Sequence, residues 1–225
     1  MTDPAARMTI GLLGGAGKEG SGLALRWAHA GHSVVIGSRN PARSAEAAAK
    51  INTRLGRVAA SGADNLSAAQ AADLVVLVVP YAAQIATVEA VRAALAGKIL
   101  IDVTVPLVPP TVSRVQLPPC DSAVVAVQTL LGPEVRVVSA FQNISAHHLV
   151  QLDADIDCDV LVCADDKAAG ETVVALAREI GLGAFYAGVL ANSVVAEALT
   201  SVLIALNQRY KVPGAGIRLT GIPRG

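Results

Sequence analysis

Short, almost wholly apolar runs alternate along this chain with longer alanine-rich segments whose apolar positions recur at helical spacing. The apolar runs fall at Met8–Leu13, His32–Gly37, Leu74–Val79, Ile99–Val105, Val135–Ser139, Asp159–Cys163 and Ala184–Ala187. Between them the pattern predicts helices at about 17–31, Pro41–Leu55, Asn65–Ala71, Ala82–Leu95, Lys167–Ile180 and Asn192–Arg209. Strands that are apolar on both faces belong in a parallel sheet covered by helices on both sides. The predicted fold is therefore α/β: a Rossmann-type, doubly wound, mainly parallel sheet with a small carboxy-terminal helical segment. Residues 1–8 read as a flexible tail and 9–225 as a single domain. The stretch 106–119, with five prolines, reads as a loop.

The first apolar run leads into glycines at Gly15, Gly17 and Gly20, which fit G-x-G-x-x-G at a strand-to-helix junction, the context a dinucleotide site requires. In that reading Gly15 permits the tight turn and Gly17 lets the backbone approach a diphosphate. Gly20 lets helix and strand pack closely. The diphosphate would rest on the free N–H groups at the positive end of the helix. The second run ends in Gly37-Ser38-Arg39, with Arg43 one helical turn on, where NAD sites place a carboxylate for the ribose 2′-hydroxyl. A hydroxyl and guanidinium groups complement a 2′-phosphate that a carboxylate would repel. The residues point to NADP(H). The competing reading is a solvated Ser-Arg turn, although Asn40-Pro41 is suited to cap the next helix unaided.

Ligands in such folds lie beyond the carboxyl ends of the strands, which draws attention to Val79-Pro80-Tyr81, Asp102–Pro106 and Ser139–His148. Asp102 could equally be a loop or helix cap. Composition removes other classes. The 18 basic and 18 acidic residues give a formal net charge of +0 without any Lys/Arg-rich run, so the electrostatic footprint of a nucleic-acid binder is missing. No apolar stretch of membrane-spanning length escapes interruption by charge or glycine, and a secretory h-region is absent, so the expectation is cytoplasmic. Cys120, Cys158 and Cys163 have neither CxxC spacing nor a histidine partner, and no metal site is expected.

Together, LLGGAGKEGSGLALRWAHAGHSVVIGSR at Leu12–Arg39, VPYAAQ at Val79–Gln84, IDVTVPL at Ile101–Leu107, VVSAFQNISAHHL at Val137–Leu149, CDVLVCADDKAA at Cys158–Ala169, LANS at Leu190–Ser193 and YKVPGAGIRLTG at Tyr210–Gly221 resemble the NADPH-dependent reductases of coenzyme F420. That family moves hydride between NADPH and a deazaflavin. The resemblance implies a diphosphate loop of Gly15, Ala16, Gly17, Lys18, Glu19 and Gly20, with Ser38, Arg39 and Arg43 on the 2′-phosphate. It places Val79, Pro80, Ala83 and Val105 along the cofactor, and Ile144 and Ala146 at the nicotinamide amide. Gln142, Asn143, Ile144 and His147 would border the deazaflavin. It also implies a homodimer whose carboxy-terminal helix, about 190–209, helps bury the interface. Family members commonly carry Thr where this chain has Ala16, and archaeal members differ at Phe141-Gln142-Asn143.

No catalytic acid/base constellation is expected, because hydride transfer between stacked heterocycles asks the protein for orientation and exclusion of water. His147 and His148 are the candidates to donate a proton or to meet an anionic tail. Three classes stay open at this point: F420 reduction by NADPH, reduction of another small heterocycle, imine or ketone, and non-catalytic NADP(H) binding. The segment Leu190–Leu206, apolar nearly all round, suits a helix buried on more than one face.

Overall fold

Helix starts in this chain are written in short polar side chains that accept from otherwise unpaired N–H groups. Asn40, followed by Pro41, accepts from Ala42 N–H; Asp64 from Ser67, Ser122 from Val125 and Asp166 from Ala169 do the same for three further helices. The computed structural model describes residues 7–154 and 156–223. Its strands are β1 (Thr9–Leu13), β2 (Ser33–Gly37), β3 (Ala60–Ala63), β4 (Leu74–Leu77), β5 (Ile99–Asp102), β6 (Arg136–Ser139), β7 (Asp159–Ala164) and β8 (Gly183–Tyr186). The helices are α1 (Lys18–Ala30), α2 (Pro41–Leu55), α3 (Asn65–Ala71), α4 (Gln84–Leu95), α5 (Ala123–Leu131), α6 (Ala146–Leu149), α7 (Lys167–Glu179) and α8 (Ser193–Tyr210). One sheet results, in the order β3-β2-β1-β4-β5-β6-β7-β8. The first six strands follow the Rossmann order 3-2-1-4-5-6.

Two apolar layers sandwich the sheet. One gathers Leu12, Ile36, Trp27 and Phe141, the other Leu13, Leu77, Val88 and Val127. Trp27 meets Phe141 edge to face at 5.6 Å and donates its indole N–H to Leu176 O at 3.2 Å, which satisfies its polar end inside the core. Buried Arg26 donates to the carbonyls of Leu149 and Ile180, each at 2.9 Å, and to Gln151 at 2.6 Å, tying the segment after α6 to α1.

Several features differ from the sequence expectation. β6 and β7 pair antiparallel, the one exception in an otherwise parallel sheet. β3 reads Ala-Ser-Gly-Ala and has no apolar run to announce it; Gly62 sits so close to the Ala45 backbone that a Cβ would not fit. α5 reads AVVAVQTLL, a β-branched run without helical spacing, and its helical state rests on the Ser122 cap and on contacts with α8. Residues 1–6 of the expected tail lie outside the described residues. Arg7 and Met8, counted with that tail, are held: the Arg7 guanidinium pairs with Glu179 at 2.8 Å and Met8 N–H donates to His32 Nδ1 at 3.3 Å.

Candidate functional site

The turn from β1 to α1 is shaped by glycines, with one job moved from its expected place. Gly14, not Gly15, carries the positive φ of 75° and makes the turn; a Cβ there would strike Val79 and the Val78 carbonyl. Gly15 is instead a close-packing position: its N–H donates to Leu12 O and Gly37 O at 3.2 and 3.1 Å. A Cβ on Gly20 would lie 2.6 Å from Gly15 Cα, so α1 can begin against the turn only with glycine at position 20, and a Cβ on Gly15 would strike Leu12 Cβ at 2.7 Å. Gly17 faces open space, and a Cβ there would meet only Gly14 O, at 3.7 Å. The cradle has room for a diphosphate backbone to backbone.

Beside this turn lies a cavity of about 590 Å³. Of the residues named from the sequence, Ala16, Gly17, Ser38, Arg39, Arg43, Val79, Pro80 and Ala83 line it together. Gly14, Asn40, Asn65, Val78 and Thr87 line it too and are not among the site residues expected from the sequence, where Asn40 figures only as a helix cap. Asn65 accepts from Gly14 N–H at 3.2 Å, so α3 buttresses the turn. In the sequence Asn65 is only a polar residue at a helix start, and its role depends on the unannounced strand before it. Ser38 Oγ accepts from Asn40 N–H at 3.1 Å, within the turn that caps α2. Arg39 and Arg43 are exposed; Arg43 N–H donates to Asn40 O at 3.1 Å, and the Arg43 charge helps to lower the Glu46 carboxyl, whose main partner is Lys50. No described lining residue is a carboxylate.

The remaining candidates sit elsewhere. Lys18 and Glu19 open α1, and burial pushes the Glu19 carboxyl up to about 8. Val105 follows β5, where burial pushes Asp102 up to about 6 against hydrogen bonds from Thr104 and Gln84, while the charge of Glu197 adds to the rise. Gln142 and Asn143 are buried, and their amide nitrogens are committed to Asp102 O at 2.8 Å and to Asp159 O at 2.7 Å. Only their carbonyl oxygens lack a partner. Ile144 is 6% exposed and packs in the core, while Ala146 opens α6. His147 is exposed and contacts Gln151 at 3.1 Å; His148 reaches Gly214 O at 2.8 Å. Phe141 holds a left-handed φ of 72°, a strain on the order of 1–3 kcal/mol kept in place by full burial against Trp27.

Strand order, glycine turn and a carboxylate-free cleft with two exposed guanidinium groups at the end of β2 define a Rossmann-type protein of the NADP(H)-binding class. Residues 9–106 match the family described as NADP oxidoreductase coenzyme F420-dependent. The chain is 41% identical over 223 residues to the F420-dependent NADP reductase of Methanothermobacter thermautotrophicus, covering 96% of each chain. It is 40% identical to the enzyme of that name from Methanocaldococcus jannaschii, covering 96% of this chain and 99% of the relative. A solved structure from Arthrobacter sp. FB24, provisionally described as an F420-dependent NADP reductase, superposes with a TM-score of 0.80 at 29% identity, covering 95% of this chain and 99% of its own. This chain belongs to the family of F420-dependent NADP reductases.

Proposed function

We propose that this protein is an oxidoreductase that transfers hydride directly and reversibly between NADPH and the deazaflavin coenzyme F420. The observation that carries this reading is the agreement along 96% of the chain with relatives named for that reaction. The cleft supports it. Arg39 and Arg43 would hold the 2′-phosphate with Ser38, and the backbone of Ala16, Gly17, Lys18, Glu19 and Gly20 the diphosphate, at the positive end of α1, with Gly15 packed beneath the turn. Val79, Pro80, Ala83 and Val105 would flank the cofactor, and Ile144 and Ala146 would orient the nicotinamide amide. Gln142, Asn143, Ile144 and His147 would border the deazaflavin. Bound NADPH supplies the hydride and the deazaflavin accepts it. The chain's own work is to hold two planar rings in register and exclude water, which needs small neutral side chains at the point of contact.

The protein would act as a homodimer in the cytoplasm. The face of α8 formed by Val195, Val202 and Leu206 is exposed, while Ala196 and Leu203 are buried. Within Leu190–Tyr210 an 18-residue window reaches a mean hydropathy of 1.5, apolar and long enough by composition alone to cross a membrane. Its Glu197 is buried as a cap on α5, however, which makes the helix part of the fold and leaves its apolar face for a second copy. Two measurements test the proposal. Loss of deazaflavin absorbance should follow NADPH addition; brisk reduction of an imine or ketone without F420 turnover would overturn the reaction. Light scattering should report a dimer at micromolar concentration, and a monomer would overturn the assembly.

A further inference from the structure

Asp102 ends β5, fully buried, at the carboxyl edge of the sheet. A buried carboxylate is costly unless donors meet its lone pairs, and here the donors come from separate segments. Oδ1 accepts from Thr104 N–H at 2.9 Å, in the stretch leaving β5. Oδ2 accepts from Gln84 Nε2 at 2.7 Å, at the first residue of α4. The main-chain carbonyl accepts from Gln142 Nε2 at 2.8 Å, and that amide also donates to Ser139 Oγ at 2.9 Å. Gln84 Nε2 is shared with Ala123 O at 3.2 Å, where Glu197 of α8 accepts from Ser122 Oγ and Ala123 N–H at 2.6 and 2.8 Å.

One arm ends at the cavity itself, and the other two end beside residues that the NADP(H) reading assigns to the nicotinamide half. Gln84 directly follows Ala83, which lines the cavity with Pro80 and Thr87. Thr104 precedes Val105, and Gln142 lies two residues before Ile144. The buried Oε1 atoms of Gln84 and Gln142 have no partner among the described residues, so two acceptors flank the carboxylate with nothing yet donating to them. We propose that Asp102 is the positioning residue for the nicotinamide half of the cofactor, its carboxylate tying the start of α4 to the exit of β5 while its main-chain carbonyl anchors the loop after β6. This inference rests on the NADP(H) reading above. It assigns a role to a residue that touches neither the 2′-phosphate nor the diphosphate cradle, and so separates the two halves of the cleft.

The separation sets the test. 2′,5′-ADP carries only the adenosine half, whereas NADPH spans both. Asp102→Asn keeps the size and one acceptor, and Gln84→Met removes a single arm; circular dichroism establishes that each is folded. Affinity for 2′,5′-ADP should stay within about twofold while NADPH affinity falls about tenfold in Asp102→Asn. Single-turnover hydride transfer to F420 should slow about a hundredfold, the scale of an ångström of misplacement, with smaller effects in the same direction for Gln84→Met. Native NADPH binding and transfer in the folded variants would overturn the inference. So would equal losses of 2′,5′-ADP and NADPH affinity, which would mark damage to the whole fold. Should Asp102→Asn not fold, Gln84→Met decides by the same criteria. Failure of the unaltered protein to bind NADPH while binding NADH would overturn the cofactor reading, and the inference with it.

Discussion

The two ends of the cleft are built on opposite plans. At the adenosine end, the turn before α1 and the turn after β2 present backbone N–H groups and two exposed guanidinium groups within one short stretch of chain. At the other end, segments 18 and 40 residues away in the chain converge on buried Asp102, Gln84 on its carboxylate and Gln142 on its main-chain carbonyl. Recognition by charge and by backbone amides needs exposure and little support. Placement of a planar ring needs rigidity, which on the proposed reading comes from hydrogen bonds closed in the interior.

The sharpest way to break this comparison is to disable one end alone. Gly17→Val should abolish NADPH binding, a loss of about 4 kcal/mol or more, yet leave the circular dichroism spectrum native, because a Cβ there is clear of the protein. Retained binding would mean the diphosphate lies elsewhere. At the opposite end, Ala146→Trp should lower the rate of deazaflavin reduction about a hundredfold while NADPH affinity, measured by fluorescence titration, stays within a few fold. A parallel loss of both would erase the distinction between the two ends.

Arg39→Ala should weaken NADPH by about 1.5–3 kcal/mol, the range for charge-assisted hydrogen bonds, and hardly change NADH. Equal affinity of the native protein for the two nucleotides would remove the phosphate role from this end. The smallest effect concerns pH. Burial raises the Glu19 carboxyl from its ordinary 4.5 to about 8, so the neutral form is favoured in the fold. The stability it contributes is complete below pH 4.5 and is lost as pH rises toward 8. Glu19 is buried for most of its surface but not sealed from water, and solvent screening holds the effect to about 1–2 kcal/mol. Urea denaturation should show Glu19→Gln gaining that much over the native protein at pH 9 and little at pH 5. Identical slopes would show that the carboxyl is solvated.

Much of this molecule is written locally. The spacing of alanines and leucines, the Asn40-Pro41, Asp64 and Asp166 caps and the doubly apolar strands each act within a few residues, so periodicity alone placed most helices and strands within about two residues of where they fold. The same holds for the presence of a glycine-rich turn after β1 and for the place of Ser38, Arg39 and Arg43 beside the cavity, where β2 ends and α2 begins. What only the tertiary structure decided is whatever depends on a neighbour distant in sequence. Ala60–Ala63 is a strand because β2 offers it a partner, and Ala123–Leu131 a helix because Ser122 and Glu197 receive its first N–H groups. Gly14 takes the turn because Gly15 is wedged between Leu12 and Gly20. The amides of Gln142 and Asn143 face inward because Asp102 and Asp159 present carbonyls to them. Buried polar groups must be satisfied by whatever the fold brings near, and one-dimensional spacing carries no record of that company.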